Sequence, residues 1–299
     1  MSNQAAIPEK RTQVQLDDLT FDVIGKRVSG FGTVWFLRRP PGARFEVVYG
    51  EKCAVKTFHA EEDEALIEQE LGNWVSLGSP YIARLVKISR LNFELAALME
   101  MMPGSLADYM RQHGNMDETE VKTVLLDVLR GLDYAYTEHR LAHLDLKPDN
   151  LLLISADSPR VQITDWGISR IVSKSEQSKW ATTPGNVPTH HTDRRTQFGV
   201  GTIPYMAPER FGSWSIGPAA DVFSLGAIAV ELMTGQLPCN DGSGDPFRCI
   251  ISHQYFERAK YLLRRNSSGL RSLVLNMLDS DPKRRPQNYP ALIAAIETL

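Results

Sequence analysis

The stretch HLDLKPDN, His143 to Asn150, crowds a carboxylate (Asp145), an ammonium (Lys147) and an amide (Asn150) into one short segment just ahead of the apolar run LLLI. An ordinary connection from a helix to a strand needs no such set. Beyond it, after a second short apolar run, comes Asp165 in TDWG, where Gly167 lets the backbone turn sharply beside another acidic group. Asn150 and Asp165 together offer oxygen ligands for a hard cation such as Mg²⁺, which takes one or two carboxylate-type ligands and completes its shell with phosphate oxygens. Asp145 is suited to orient and deprotonate a hydroxyl, and Lys147 to balance charge on a phosphoryl group in transfer. Singly each residue is bland, since an Asp in a loop is most simply a cap or a solvated turn. The set is what carries meaning.

Around this segment the chain of 299 residues changes character once. Residues 19 to 58 hold β-rich runs, TVWFL and CAVKTF, separated by Arg39-Pro40-Pro41-Gly42, a pattern of antiparallel hairpins. The stretch from Ala60 to Leu77 reads as a helix with an acidic first turn, and the strand-like ARLVKIS and FELAALM come after it. After residue 103 helices dominate. Asp117 with Glu120 makes a capping pair, and Val121, Val124, Leu125, Val128, Leu129, Leu132 and Tyr136 recur at helical spacing. Later, DVFSLGAIAVELMTG ends on the natural stop Gly235.

Composition excludes several classes. Apolar residues make up 42% and charged residues 23%, as in a globular protein and unlike a disordered or fibrous one. A net charge of −3 indicates no global pull toward nucleic acid or an acidic membrane. Cys53, Cys239 and Cys249 form no CxxC pair, which argues for free thiols rather than a disulfide framework or a zinc site. The first residues lack an apolar core of the signal-peptide kind and no run is long enough to span a bilayer, so a cytoplasmic protein without a membrane segment is expected.

HLDLKPDN, TDWG and GTIPYMAPE closely resemble the catalytic loop, the metal-binding loop and the end of the activation segment of eukaryotic-type (Hanks-type) serine/threonine protein kinases. The resemblance runs from about residue 20 to the end. It implies an α+β, bilobal fold: a small antiparallel β-sheet lobe with one helix at about 19–101, and a larger, mainly helical lobe at about 102–299. A flexible extension is expected over residues 1–18. The implied reaction transfers the γ-phosphoryl group of ATP, with Mg²⁺, to a protein serine or threonine.

On that resemblance Asp145 and Lys147 are the catalytic pair, and Asn150 and Asp165 hold the metal. CAVK matches the strand motif whose Lys56 grips the α- and β-phosphates, and Glu70 is its implied ion-pair partner. Met99 resembles the gatekeeper, the backbones of Glu100 and Met102 face adenine, and Val34, Ala54 and Leu152 sandwich the ring. The glycine-rich loop matches least. Gly30 and Gly32 remain, while Arg27 and Ser29 stand in the other two glycine slots, and Phe31 fits the loop tip. Glu209 and Arg285 imply a buried ion pair, Thr202 a bridge from Asp145 to Lys147, and Asp221 a support for the catalytic-loop backbone. Read from its sequence position alone, Asp221 is most simply a helix N-cap. His143, Trp166, Leu85 and Trp74 are implied as a stacked spine.

Lys147 followed by Pro148 matches the serine/threonine branch. Leu144 departs from it, standing where most regulated members carry Arg, so a phosphate on the activation segment lacks its usual partner. The segment from 172 to 198 is long and polar, and is expected to be mobile and the first site of proteolytic cleavage. The implied partner is a protein substrate acted on by a monomer. The alternative from a different class is a pseudokinase, an ATP-binding or interaction scaffold, favoured by Leu144 and the irregular glycine loop. A small-molecule kinase is disfavoured by GTIPYMAPE and Arg285.

Overall fold

The computed structural model describes residues 12–29, 32–39, 51–58, 64–166, 170–171, 203–211, 217–239, 246–252, 254–266 and 268–299. Gly30, Phe31, Gly167, Thr202 and the whole of 172–198 lie outside the described residues. The fold is α+β, and the chain divides into two units: Met1–Leu71 with Leu85–Met101, and Gly72–Arg84 with Met102–Leu299.

In the first unit six strands, all antiparallel to their neighbours, are ordered β1-β2-β3-β4-β6-β5 and close on themselves. They are β1 (Gln13–Leu16), β2 (Leu19–Ser29), β3 (Gly32–Arg38), β4 (Lys52–Thr57), β5 (Leu85–Leu91) and β6 (Glu94–Glu100), with helix α1 (Glu64–Val75) between β4 and β5. Side chains alternate across each strand, so Val14, Leu16, Phe21, Leu37, Val55, Leu91 and Leu98 meet in one buried core.

The structure differs from the sequence reading here in two respects. The expected sheet is a closed barrel, and residues 13–16 belong to it rather than to a flexible extension. The physical reason is β1: Val14 and Leu16 point into the core, and Leu16 pairs with Leu91 across the closing seam. Asp17, at φ +50°, completes the seam by accepting from the Arg90 amide at 2.9 Å and pairing with Lys87 at 2.6 Å.

Gly32 opens β3 with φ +140°, and a Cβ there would lie 2.0 Å from the Thr57 carbonyl oxygen. This glycine is therefore required by strand packing, whatever else it does. Gly32→Ala is expected to destabilise the protein by at least the ~1–3 kcal/mol of a residue forced into a glycine-only conformation. Chemical denaturation checks this, and an unchanged midpoint would contradict it.

The second unit is built on the helix predicted around Val121 to Tyr136. It is α3 (Glu118–His139), and Asp117 and Glu120 form the expected reciprocal capping box. Its apolar stripe, Val121, Val124, Leu125, Val128, Leu129 and Leu132, is buried. Ahead of it lies α2 (Leu106–His113), and after it the short strand β7 (Leu141–Ala142) and the hairpin β8 (Leu151–Ser155) and β9 (Ser158–Ile163). Asp127 on α3 ties that hairpin down, accepting from Arg160 at 2.6 Å and from the Val161 amide at 3.1 Å. Strand β10 (Arg170–Ile171) pairs with β7.

The remaining helices are α4 (Pro218–Thr234), α5 (Pro246–Ile251), α6 (Gln254–Leu262), α7 (Gly269–Met277) and α8 (Tyr289–Glu297). Nearly all of α4 is buried, and it stops at Gly235 with φ +68°, as the sequence predicts. Among the described residues no helix is long and apolar enough to cross a membrane. Cys53, Cys239 and Cys249 are buried, Cys249 donates through Sγ to the Pro238 carbonyl at 3.6 Å, and burial pushes the Cys53 thiol up to about 11.

Candidate active site

Helix α3 ends on Arg140 in the left-handed conformation, which turns the chain through β7 into residues 143–150. Asp221 holds the start of that loop. It sits inside the first turns of α4 rather than at its N-cap, which is Gly217. Its two carboxylate oxygens accept from consecutive backbone amides, His143 at 2.8 Å and Leu144 at 2.7 Å. Burial pushes the Asp221 carboxyl up, while His143, the two amides and Arg210 pull it down. The reading of Asp221 as an N-cap is thus corrected: its carboxylate bonds two backbone amides of the 143–150 segment.

With the backbone held, the side chains fall into place. The His143 ring accepts from the Asp145 amide through Nδ1 at 3.2 Å, so it carries its proton on Nε2 and donates to the Thr164 carbonyl at 2.9 Å. The Thr164 amide in turn donates to the Asn150 carbonyl at 2.9 Å. Thr164 is stitched to the loop at both ends, which stations the next residue, Asp165, beside it. Asp165 has φ +65°, a strained conformation for a residue with a side chain and one that clusters at functional sites. Trp166, like His143 a member of the implied spine, packs edge-on to it with centroids 4.8 Å apart.

Asp145 is 3% exposed. Its Oδ2 accepts from Lys147 Nζ at 2.9 Å and from Asn150 Nδ2 at 3.0 Å, and Asn150 Nδ2 also reaches the Asp145 carbonyl at 2.8 Å. Asp145 Oδ1 is buried and has no hydrogen-bond partner among the described residues. A buried carboxylate oxygen without a donor is costly. The carboxylate is therefore fixed through one oxygen and keeps the acceptor capacity of the other. Because the Asn150 amide nitrogen faces Asp145, its Oδ1 is directed away as an acceptor.

Asn150 Oδ1 and the Asp165 carboxylate are oxygen donors of the type that Mg²⁺ takes alongside phosphate oxygens. No group of three or more His, Cys, Asp or Glu side chains able to hold a metal occurs among the described residues, which leaves no competing site of the zinc type there.

Several other implied residues lie in the first unit. Lys56 is buried on β4, opposite Val34 on β3 and Ala97 on β6, with its ammonium 5.4 Å from the centroid of the Phe58 ring. Ala54 pairs with Met99 and Cys53 with Glu100 across the same ladder. Glu70 is half-buried on α1. In the second unit Met102 is half-buried, and Leu152 bridges to Ser105 at the start of α2.

The turn Pro208–Phe211 is anchored through Glu209. Arg285 grips Glu209 with two bonds of 2.7 and 2.9 Å, and also donates to the carbonyls of Ala219 at 2.7 Å and Asp279 at 2.8 Å. Both side chains are buried. Sequence reasoning missed Arg210, whose guanidinium donates to the Leu144 carbonyl. Nothing in the sequence marks it, because an arginine beside an acidic residue reads as surface.

The profile of the family described as "Protein kinase domain" matches residues 44–294. The chain is 32% identical over 231 residues to "Mitogen-activated protein kinase kinase 1" of Arabidopsis thaliana, an alignment covering 76% of this chain and 57% of that protein. It is 29% identical over 242 residues to "Carbon catabolite-derepressing protein kinase" of Candida tropicalis, covering 79% and 35%. It is 28% identical over 244 residues to "Calcium/calmodulin-dependent protein kinase type IV" of Mus musculus, covering 80% and 48%. The chain thus spans about a third to somewhat over half the length of these curated relatives.

Proposed function

The chain belongs to the protein kinase domain family, and on that premise we propose that it transfers the γ-phosphoryl group of ATP to serine and threonine hydroxyls of proteins. The observation that carries this reading is Asp145, a carboxylate tied through Oδ2 by Lys147 and Asn150 while Oδ1 stays without a partner among the described residues.

Asp145 Oδ1 accepts the hydrogen bond of the substrate hydroxyl and orients it, taking its proton as the new O–P bond forms and the bond from the γ-phosphorus to the bridging oxygen breaks, which releases ADP. Lys147 holds Oδ2 and offsets the negative charge that gathers on the phosphoryl oxygens. Lys56 binds the α- and β-phosphates, and Glu70 is assigned to fix its direction. Asn150 and Asp165 are assigned to hold Mg²⁺, which when bound neutralises charge on the phosphates. The backbones of Glu100 and Met102 are assigned to adenine, with Val34, Ala54, Leu152 and Met99 forming the apolar walls and Gly30 and Gly32 the loop over the phosphates. Thr202 is assigned to bridge Asp145 and Lys147. The pseudokinase alternative is disfavoured because Lys56, Asp145, Asn150 and Asp165 are all present.

The chain incubated with labelled ATP, Mg²⁺ and a generic basic protein is expected to label that protein on serine or threonine, as read by mass spectrometry of the phosphosites. Labelling only on tyrosine would overturn the assigned branch. ATP binding without any transfer would favour the scaffold.

Activity is also expected to depend little on activation-segment phosphate. Leu144 is 7% exposed and apolar, so it offers no charge for a phosphate to meet. Phosphatase treatment should leave most of the transfer rate, and a loss above tenfold, reversed by rephosphorylation, would contradict this.

A further inference from the structure

The peptide unit joining Leu144 to Asp145 is gripped from two sides. Its N–H, that of Asp145, donates to His143 Nδ1 at 3.2 Å, and its C=O, that of Leu144, accepts from Arg210 Nη1. One residue earlier, the Leu144 amide is taken by Asp221. Leu144 itself is in the left-handed region at φ +67°, a conformation an ordinary side chain avoids unless its neighbours enforce it. The orientation of this peptide plane sets where the Asp145 Cα–Cβ bond points.

Arg210 is presented from a fixed turn. It lies in the short 3₁₀ turn Pro208–Phe211, and its own amide donates to the Ala207 carbonyl at 3.0 Å. On one side Glu209 is clamped by Arg285, and on the other Phe211 packs edge-on against Phe247 with centroids 4.9 Å apart. Asp145, Asp221 and Glu209 surround the guanidinium with negative charge that opposes the cost of its burial. A rigid turn flanked by two anchors is the arrangement that holds a donor in one place without a further ordering cost.

We propose that Arg210 is a positioning residue for phosphoryl transfer: its bond to the Leu144 carbonyl fixes the peptide plane before Asp145 and ties the aim of that carboxylate to the folded end of the activation segment. This rests on the kinase reading and deepens it. The catalytic loop carries no basic side chain at residue 144, and the guanidinium that braces this point comes from residue 210. The bond is made by an unmodified side chain, so the brace is in place without a phosphate.

The test compares wild type, Arg210→Met and Arg210→Lys in steady-state transfer to a basic protein and in amide hydrogen exchange. Arg210→Met is expected to lower kcat at least tenfold while the KM for ATP stays within twofold. Exchange over residues 141–147 should quicken while α3 keeps its protection. Arg210→Lys retains a charged donor of similar reach and should recover most of kcat and of the lost protection. Three results would overturn the proposal: Arg210→Met with kcat within twofold of wild type, exchange quickened equally through α3, or no recovery with Lys. If wild type transfers no phosphate, the kinase reading fails, and the exchange comparison alone then decides whether Arg210 braces the loop.

Discussion

Lys56→Met and Asp165→Asn are each expected to abolish phosphoryl transfer, by at least a thousandfold, while leaving the fold intact. On the proposed assignment Lys56 contributes a charge to phosphate binding, and Asp165 an oxygen to the metal site. Preorganised charges of this kind supply a large part of the rate in phosphoryl transfer. Neither side chain is among the buried apolar residues of the core. Asp165 is half-exposed, and its neighbour Thr164 makes the bonds that hold this segment to the loop. Lys56 is buried, but it lies in a ladder whose pairing uses only its backbone, and Met replaces its stem with one of similar length. Circular dichroism and the melting curve should barely change. Turnover within tenfold of wild type by either variant would contradict the assigned roles.

The largest effect on stability is expected at Arg285. Replacing it by Met strands the buried Glu209 carboxylate and removes the donors to the Ala219 and Asp279 carbonyls. Breaking one partner of a buried pair costs about 3–5 kcal/mol, because the remaining charge is left desolvated and uncompensated. Urea denaturation should show this as a lower midpoint with an unchanged slope. Adding Glu209→Met to Arg285→Met should regain part of the loss, since the stranded charge is then gone. A single variant within 1 kcal/mol of wild type would show that the pair does not anchor this region.

How much of the fold and site was legible in the sequence depends on how local each signal is. Asp145, Lys147, Asn150 and Asp165 stand out because reactive side chains crowd into two short segments, and the structure joins those segments through His143 and Thr164. Helix α3 was equally plain, since its apolar spacing and its capping box lie within one continuous stretch. The closure of the barrel was not legible. Val14 and Leu16 alternate over only four residues, too few to distinguish a strand from a tail, and the partner Leu91 is far away in the chain.

Asp221 shows the same limit from another side. Beside an apolar helical run an Asp reads as a cap, whereas the helix begins three residues earlier at Pro218 and the carboxylate turns to amides remote in sequence. Gly32 could be matched to a glycine loop, but its need for a missing Cβ comes from the Thr57 carbonyl on a neighbouring strand. Arg210 carried no signal, because its partner is a backbone oxygen and any residue has one.

The central claim is that Asp145, held by Lys147 and Asn150, directs transfer of phosphate from ATP to a protein hydroxyl. The most direct measurement is the stoichiometry of labelled phosphate on a basic protein after incubation with ATP and Mg²⁺, using wild type and Asp145→Asn prepared side by side. Wild type should place label on serine or threonine through many turnovers, and Asp145→Asn, with a matching melting curve, should place essentially none. Equal labelling by the two, or no labelling by wild type, would contradict the account.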